Sequence, residues 1–430
     1  MKNIFFKAFL AISVMLVATA CDESFADGSS QDVCQVNITV VAPDDLGDAT
    51  VLNETYSFKN IATNRTTQFL SSDNISLIAG LYDVSYEAEV ELAGGAHSTM
   101  RATLSSVNIT NAVTNLTLEA YNNIENDDLI IVEVFFSGTL QSSGNQYYGD
   151  DYVKLYNNSD HVIYADGLTF FESKFTTTQK YEHTPDIMSE AMNVQALYTI
   201  PGSGTDHPVA PGEYLILADT GIDHRVANPN SFDLSNADFE WYDISTSPTN
   251  IDIDGPTVEN LDKWYCYTLS YFILHNRGFK AYGIARIPVD KETYLTDYRY
   301  DYDYTLVTVA GTFPMSASAY KIPNDWIVDV VTCSVASDYA WNVCAPSLDC
   351  GWTHCGSIDK DKDRYFHSVR RKLLRIRDNG IPEFKDTNNS TEDFNPDCIA
   401  SEIEIQGTAI NYLGDKATTL TYDGVVPINQ

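Results

Sequence analysis

Apolar and polar residues alternate with period two through long parts of the chain, a pattern that predicts strands rather than helices. Residues 34–41 alternate in this way, and residues 66–69 do so more loosely. Within residues 77–90, Tyr82, Val84, Tyr86, Ala88 and Val90 fall on one face of a strand. Residues 107–110 and 116–119 complete a set separated by Asn, Asp and Gly turns, which predicts a small β-sandwich over residues 34–121. A polar hinge, 122–128, leads to a second β-rich unit over residues 129–430. The expected fold class is therefore all-β, with two β-sandwiches.

The front of the chain follows a different rule. Lys2 and Lys7 make a short positive region, residues 5–17 are apolar apart from Lys7 and Ser13, and Ala18-Thr19-Ala20 precede Cys21. That is a signal peptide over residues 1–20, too short for a spanning helix. Small residues before a cysteine resemble a bacterial lipobox, which implies that Cys21 becomes the acylated N-terminus and ties the protein to membrane lipid. Residues 21–33 are small, polar and acidic, as suits a flexible tether. Acids just after the lipidated cysteine resemble surface-export signals of Bacteroides-type lipoproteins, so the expected location is the outer membrane, at the cell surface rather than facing the periplasm.

Two further stretches carry resemblances. The phrase from Ile78 through Gly80, Leu81, Tyr82 and Asp83 to Val84 resembles a strand of prealbumin-like and carboxypeptidase regulatory-like domains. In the second unit, residues 129–136, 149–160, 162–168 and 209–219 follow the order of a lamin-tail domain, with Lys154 in place of the usual Glu and Leu168 in place of the usual Trp. This resemblance implies an immunoglobulin-like sandwich. Together with the run from Asp386 to Phe394, the layout is similar to an uncharacterised Bacteroides-type lipoprotein family, a domain of unknown function. It implies an extracytoplasmic place in the company of outer-membrane transport systems. A lamin-tail core needs far fewer residues than are present, so segments 172–208, 222–262 and 333–365 are expected to be insertions or long loops, where binding usually resides.

Charge narrows the function. With Lys2 and Lys7 removed, 24 Lys and Arg stand against 60 Asp and Glu, a field that repels phosphate backbones and argues against nucleic-acid binding. Beyond the lipid-bearing Cys21, the cysteines Cys266, Cys333, Cys344, Cys350, Cys355 and Cys398 are expected to form three disulfides of unspecified pairing, leaving Cys34 over. Cys344, Cys350, His354 and Cys355 lack the C-x2-4-C spacing of a structural zinc site. No cofactor is expected, with calcium the one metal entertained. Asp359, Asp361 and Asp363 meet Arg364 where a calcium loop needs Gly; Asn250, Asp252 and Asp254 are followed by Gly255 but end on Leu261 where Glu is needed.

Aromatic residues supply the remaining binding candidates. Tyr298, Tyr300, Tyr302 and Tyr304 line one face of a strand, and Trp264, Tyr265, Tyr267 and Trp352 are further candidates for stacking on a small molecule or glycan. The ordinary alternative is an aromatic face packed on a neighbouring sheet. The chain has no G-x-S-x-G, H-E-x-x-H, P-loop or dinucleotide fingerprint, so no catalytic residue and no enzymatic activity is expected. The expected function is a ligand-binding or transporter-accessory scaffold at the outer membrane. The alternatives are adhesion or cell-envelope architecture, and a hydrolase with an unrecognised acidic cleft.

Overall fold

The computed structural model describes residues 33–43, 49–92, 97–110, 112–123 and 127–407. The signal peptide, Cys21 and the tether up to residue 32 lie outside the described residues.

In the first unit the alternation has the predicted consequence. Strand Gly80–Leu92 pairs with Ala49–Asn60 on one side and His97–Ile109 on the other, with Arg65–Phe69 and Tyr121–Asn123 at the margins. Strand Val33–Val41 lies between Ile75–Ile78, antiparallel, and Val113–Glu119, parallel. Tyr82, Val84, Tyr86, Ala88 and Val90 are all buried, and share a core with Val36, Ile75 and Leu118 of the smaller sheet. Val33, expected in the tether, begins the first strand, and Asn122 and Asn123, expected in the hinge, extend the last.

The second unit packs two larger sheets. One runs in the order Glu259–Asn260, Phe239–Glu240, Tyr214–Ala218, Tyr152–Asn157, Leu129–Phe135, His367–Arg371, Phe394–Ile399. The other runs Arg299–Thr308, Gly311–Pro323, Ala191–Thr199, Leu168–Ser173, Ala281–Arg286, Ile327–Thr332, with Asp262–Cys266 also paired to Ala191–Thr199. Ile131, Val134, Val153, Leu155, Phe170, Tyr198, Ile284 and Val331 fill the space between them. The second sheet is covered on its other face as well. There Phe171, Met192, Val194, Leu197 and Ala285 pack against Tyr294 of the helix α1 (Lys291–Asp297) and against Trp341, Val343 and Cys344.

Of the three segments expected to be insertions or long loops, one departs from that reading. Segment 172–208 contains Ala191–Thr199, an interior strand with every residue buried. Segment 333–365 supplies the cover at Trp341, Val343 and Cys344, and segment 222–262 adds two short strands at the margin of the first sheet. A strand covered on both faces has no polar side to alternate with, so its sequence shows none of the expected period.

The disulfide expectation is not met. All seven described cysteines, Cys34, Cys266, Cys333, Cys344, Cys350, Cys355 and Cys398, are free thiols. Cys34 is buried in the first unit, where its thiol donates to the Ile109 carbonyl. Cys266 sits among Tyr198, Asp243 and Lys263, and burial pushes the Cys333, Cys344 and Cys355 thiols well above their ordinary value. The two units meet where the Arg101 guanidinium donates to the Thr387 carbonyl and where the Tyr121 hydroxyl approaches Cys350.

Candidate functional site

The tyrosine stripe is a packed face. Tyr300 and Tyr302 are 3% and 5% exposed and stack at 4.9 Å. The loop before Ala191–Thr199 lies over them: Phe175 stacks on His183 at 3.8 Å, Phe175 meets Tyr302 edge-on, and the Tyr300 hydroxyl donates to the Pro185 carbonyl at 2.7 Å. Trp341 closes this cluster, donating from Nε1 to the carbonyls of Thr176 and Gln179. Tyr298 turns to Tyr294 and Trp326, joining Trp264 and Tyr265 in the layer around α1. Tyr267 is exposed, and Trp352 stacks on Tyr339 at 4.9 Å in another part of the unit. With Tyr304 beside Tyr302 at 6.0 Å, the eight aromatic candidates fall in separate places and do not share one surface.

The hairpin that carries the stripe extends past it. The Thr184 backbone pairs both ways with Asp303, covering the edge of Arg299–Thr308 to that point. Farther out, residues 305–320 contain no charged side chain, in a chain that is 20% charged. Val307, Val309, Phe313 and Met315 are exposed there. Apolar side chains grouped in the open mark contact surfaces more often than those scattered singly.

The calcium candidates do not converge. Asn250 and Asp254 are exposed, and Asp254 accepts from the Asn260 amide at 2.9 Å. Asp252 alone turns inward, accepting from the Asp243 backbone N–H at 2.7 Å. Gly255 is needed for another reason: a Cβ there would lie 2.8 Å from a Glu240 oxygen, and the Gly221 and Gly255 N–H groups both donate to that carboxylate. Around Asp359, an ion pair with Arg277 and a bond from Ser357 to Asp361 organise a turn.

Asp252 belongs to a group that sequence spacing does not reveal. Asp219 N–H donates to the Asp151 carbonyl at 2.8 Å, which continues the register Tyr152↔Ala218 and sets Asp151 opposite Asp219 on neighbouring strands. Both side chains share the inward face of Val153 and Leu217. Asp150 accepts from Thr139 and Ser231, and Asp243 from Tyr198, Phe272 and Lys263. Asp151 accepts from the Gly138 backbone. Asp219, 2% exposed, has an Oδ2 with no partner. Burial first, then the neighbouring carboxylates, holds Asp151 and Asp219 well above the usual carboxylate range. Burial and Asp243 push Asp252 up to about 6. Only the 60 acids scattered along the chain hinted at this, and their number hid it.

A second polar centre ties the last helix, α2 (Ser401–Gln406), to the first sheet. Lys154 Nζ donates to Ser401 Oγ at 2.7 Å and to Glu402 at 2.6 Å, and Glu133 accepts from Ser368, Tyr152 and the Ser401 N–H. Lys154 and Ser401 are 4% and 3% exposed, so this pair serves as a buried tie. Beside it opens a cleft of about 320 Å³ lined by Arg225, Asp233, Leu234, Glu402 and Gln406. The Arg225 guanidinium already pairs with Asp223 and Asp233 there.

The run from Asp386 to Phe394 is also structural. Asp386 and Asp393 flank Arg371, which donates to the Ile131 carbonyl and to Asp329 and so joins the two sheets. Residues 210–401, which take in this run, match the model of a family described as protein of unknown function (DUF4876). The match takes in less than half of the chain. A solved DUF4876 family protein from Bacteroides thetaiotaomicron VPI-5482 is similar over 89% of this chain and 99% of its own, with 19% identity and a TM-score of 0.54. At that identity the likeness is one of fold, and it extends well beyond residues 210–401. No curated protein matches the chain. The matched stretch holds Asp219, Asp243 and Asp252, whereas Asp150 and Asp151 lie before it.

Proposed function

We propose that the chain is an outer-membrane lipoprotein, anchored through Cys21, that serves as a binding or transporter-accessory scaffold. The observation that supports this reading best is the long hairpin. Its uncharged outer part exposes Val307, Val309, Phe313 and Met315, in a molecule whose overall charge is −34. An acidic surface keeps such a protein soluble and unattractive to most neighbours, and an uncharged apolar projection is where a partner can approach without that repulsion. The stripe of Tyr300 and Tyr302 under residues 175–185 holds the base of the hairpin firm.

The test is to purify a tagged copy from detergent-solubilised membranes beside a Val309→Asp/Phe313→Asp variant, and to identify co-purifying proteins by mass spectrometry. A β-barrel transporter recovered in matching amounts with the parent and lost with the variant supports the reading. Recovery of the parent protein alone sinks it and turns attention to adhesion.

A further inference from the structure

Two carboxylates placed directly opposite each other on adjacent strands repel, and the cost grows when both are removed from water. Asp151 and Asp219 are in that position, at the inner edge of the sandwich, and among the described residues neither forms an ion pair. The nearby groups that could relieve them are engaged elsewhere. Lys263 is held by Asp243 at 2.7 Å, and Glu240 takes up the Gly221 and Gly255 N–H groups. Asp219 Oδ2 is left buried with no donor. A buried acceptor without a partner costs about 1–3 kcal/mol unless something outside the protein supplies the contact.

We propose that Asp151 and Asp219, joined by Asp252 from the loop at residues 244–254, bind a hard divalent cation, calcium above others. The chemistry fits oxygen-seeking ions: the carboxyl groups whose charge acts on Asp219 are Asp151, Asp252, Asp150 and Asp243. Among the described residues no three His, Cys, Asp or Glu side chains are already gathered at metal-binding spacing. What the strand register supplies is the opposition of Asp151 and Asp219, and binding would draw Asp252 in from its bond to the Asp243 N–H. Calcium takes about six to eight oxygens and accepts backbone carbonyls and water among them, so two or three carboxylates suffice. The site differs from the linear Asn250, Asp252 and Asp254 pattern, because only Asp252 is shared and the main ligands come from two strand ends.

Thermal unfolding of the purified protein in EDTA, in about 5 mM calcium chloride and in about 5 mM magnesium chloride tests this. That concentration exceeds the dissociation constants of extracellular calcium modules. A saturable rise in Tm with calcium is expected, since a ligand that binds only the folded state stabilises it. Asp219→Asn abolishes that rise while leaving the protein at least as stable in EDTA, because one of two opposed charges is gone. Asp254→Asn, an exposed acid outside the group, keeps the rise. Equilibrium dialysis of the unaltered protein against radioactive calcium gives one ion per chain, a readout that does not depend on any variant folding. An unchanged Tm with both cations, a rise that survives Asp219→Asn, or dialysis with no bound ion overturns the proposal.

Discussion

At the residue scale, buried charge decides most of what can be tested. His275 accepts from the Phe279 N–H through Nδ1 at 3.2 Å. Burial, then Lys280 and Arg277, depresses its pKa from the ordinary 6.5 to about 3. The unfolded chain therefore binds the proton first as pH falls. The stability contributed is full above about pH 6.5 and is lost progressively toward about pH 3. Urea midpoints measured from pH 8 to pH 4 should show this slope, and His275→Asn should reduce it; parallel curves for the two proteins would refute the assignment. Arg371 makes the sharper case, since its removal leaves Asp329 buried and unpaired. Arg371→Met should cost about 3–5 kcal/mol in denaturant unfolding. A loss below about 1 kcal/mol would mean that the surrounding acids manage without it. Neither role was legible beforehand. Nothing in the local sequence marks the partners of Arg371, and the Asp151–Asp219 opposition depends on a strand register that spacing along the chain does not encode.

At the element scale, legibility followed burial geometry. Strand Gly80–Leu92 could be read because one of its faces meets the core and the other meets water. Ala191–Thr199 could not, because both faces are covered and its residues are buried without alternation. The tyrosine stripe gave the strand from Arg299 onward, with Tyr298 instead ending α1, and left its role open; Tyr300 and Tyr302 are packed under the preceding loop. The turn at Gly278 shows how tightly these layers fit. Its φ is +61°, and a Cβ would come within 2.5 Å of the buried Phe136 ring. Gly278→Ala should destabilise by more than about 2 kcal/mol, combining an unfavourable backbone with overpacking. Differential scanning calorimetry showing an unchanged Tm would rule that out.

At the scale of the whole molecule, the hairpin and the bulk of the sandwich should respond independently. The Val309→Asp/Phe313→Asp variant should keep the parent Tm within about 2 °C, because its side chains are exposed and surface changes usually cost within about 0.5 kcal/mol. A large loss of stability would show that the tip is packed in solution, and any loss of partner capture could then not be credited to contact. The larger consequence concerns where this protein can be divided. The stretch of shared sequence begins at residue 210, yet the middle of each sheet is built by strands that come earlier: Leu129–Phe135 and Tyr152–Asn157 in one, Leu168–Ser173 and Ala191–Thr199 in the other. A fragment starting at residue 210 would retain the margins and lose the centre, exposing the edges and apolar faces that those strands cover. Inheritance and folding thus draw different borders here, and a fragment of residues 210–401 should emerge as an aggregating chain without a cooperative melt, whereas one beginning near residue 127 should unfold as a single unit.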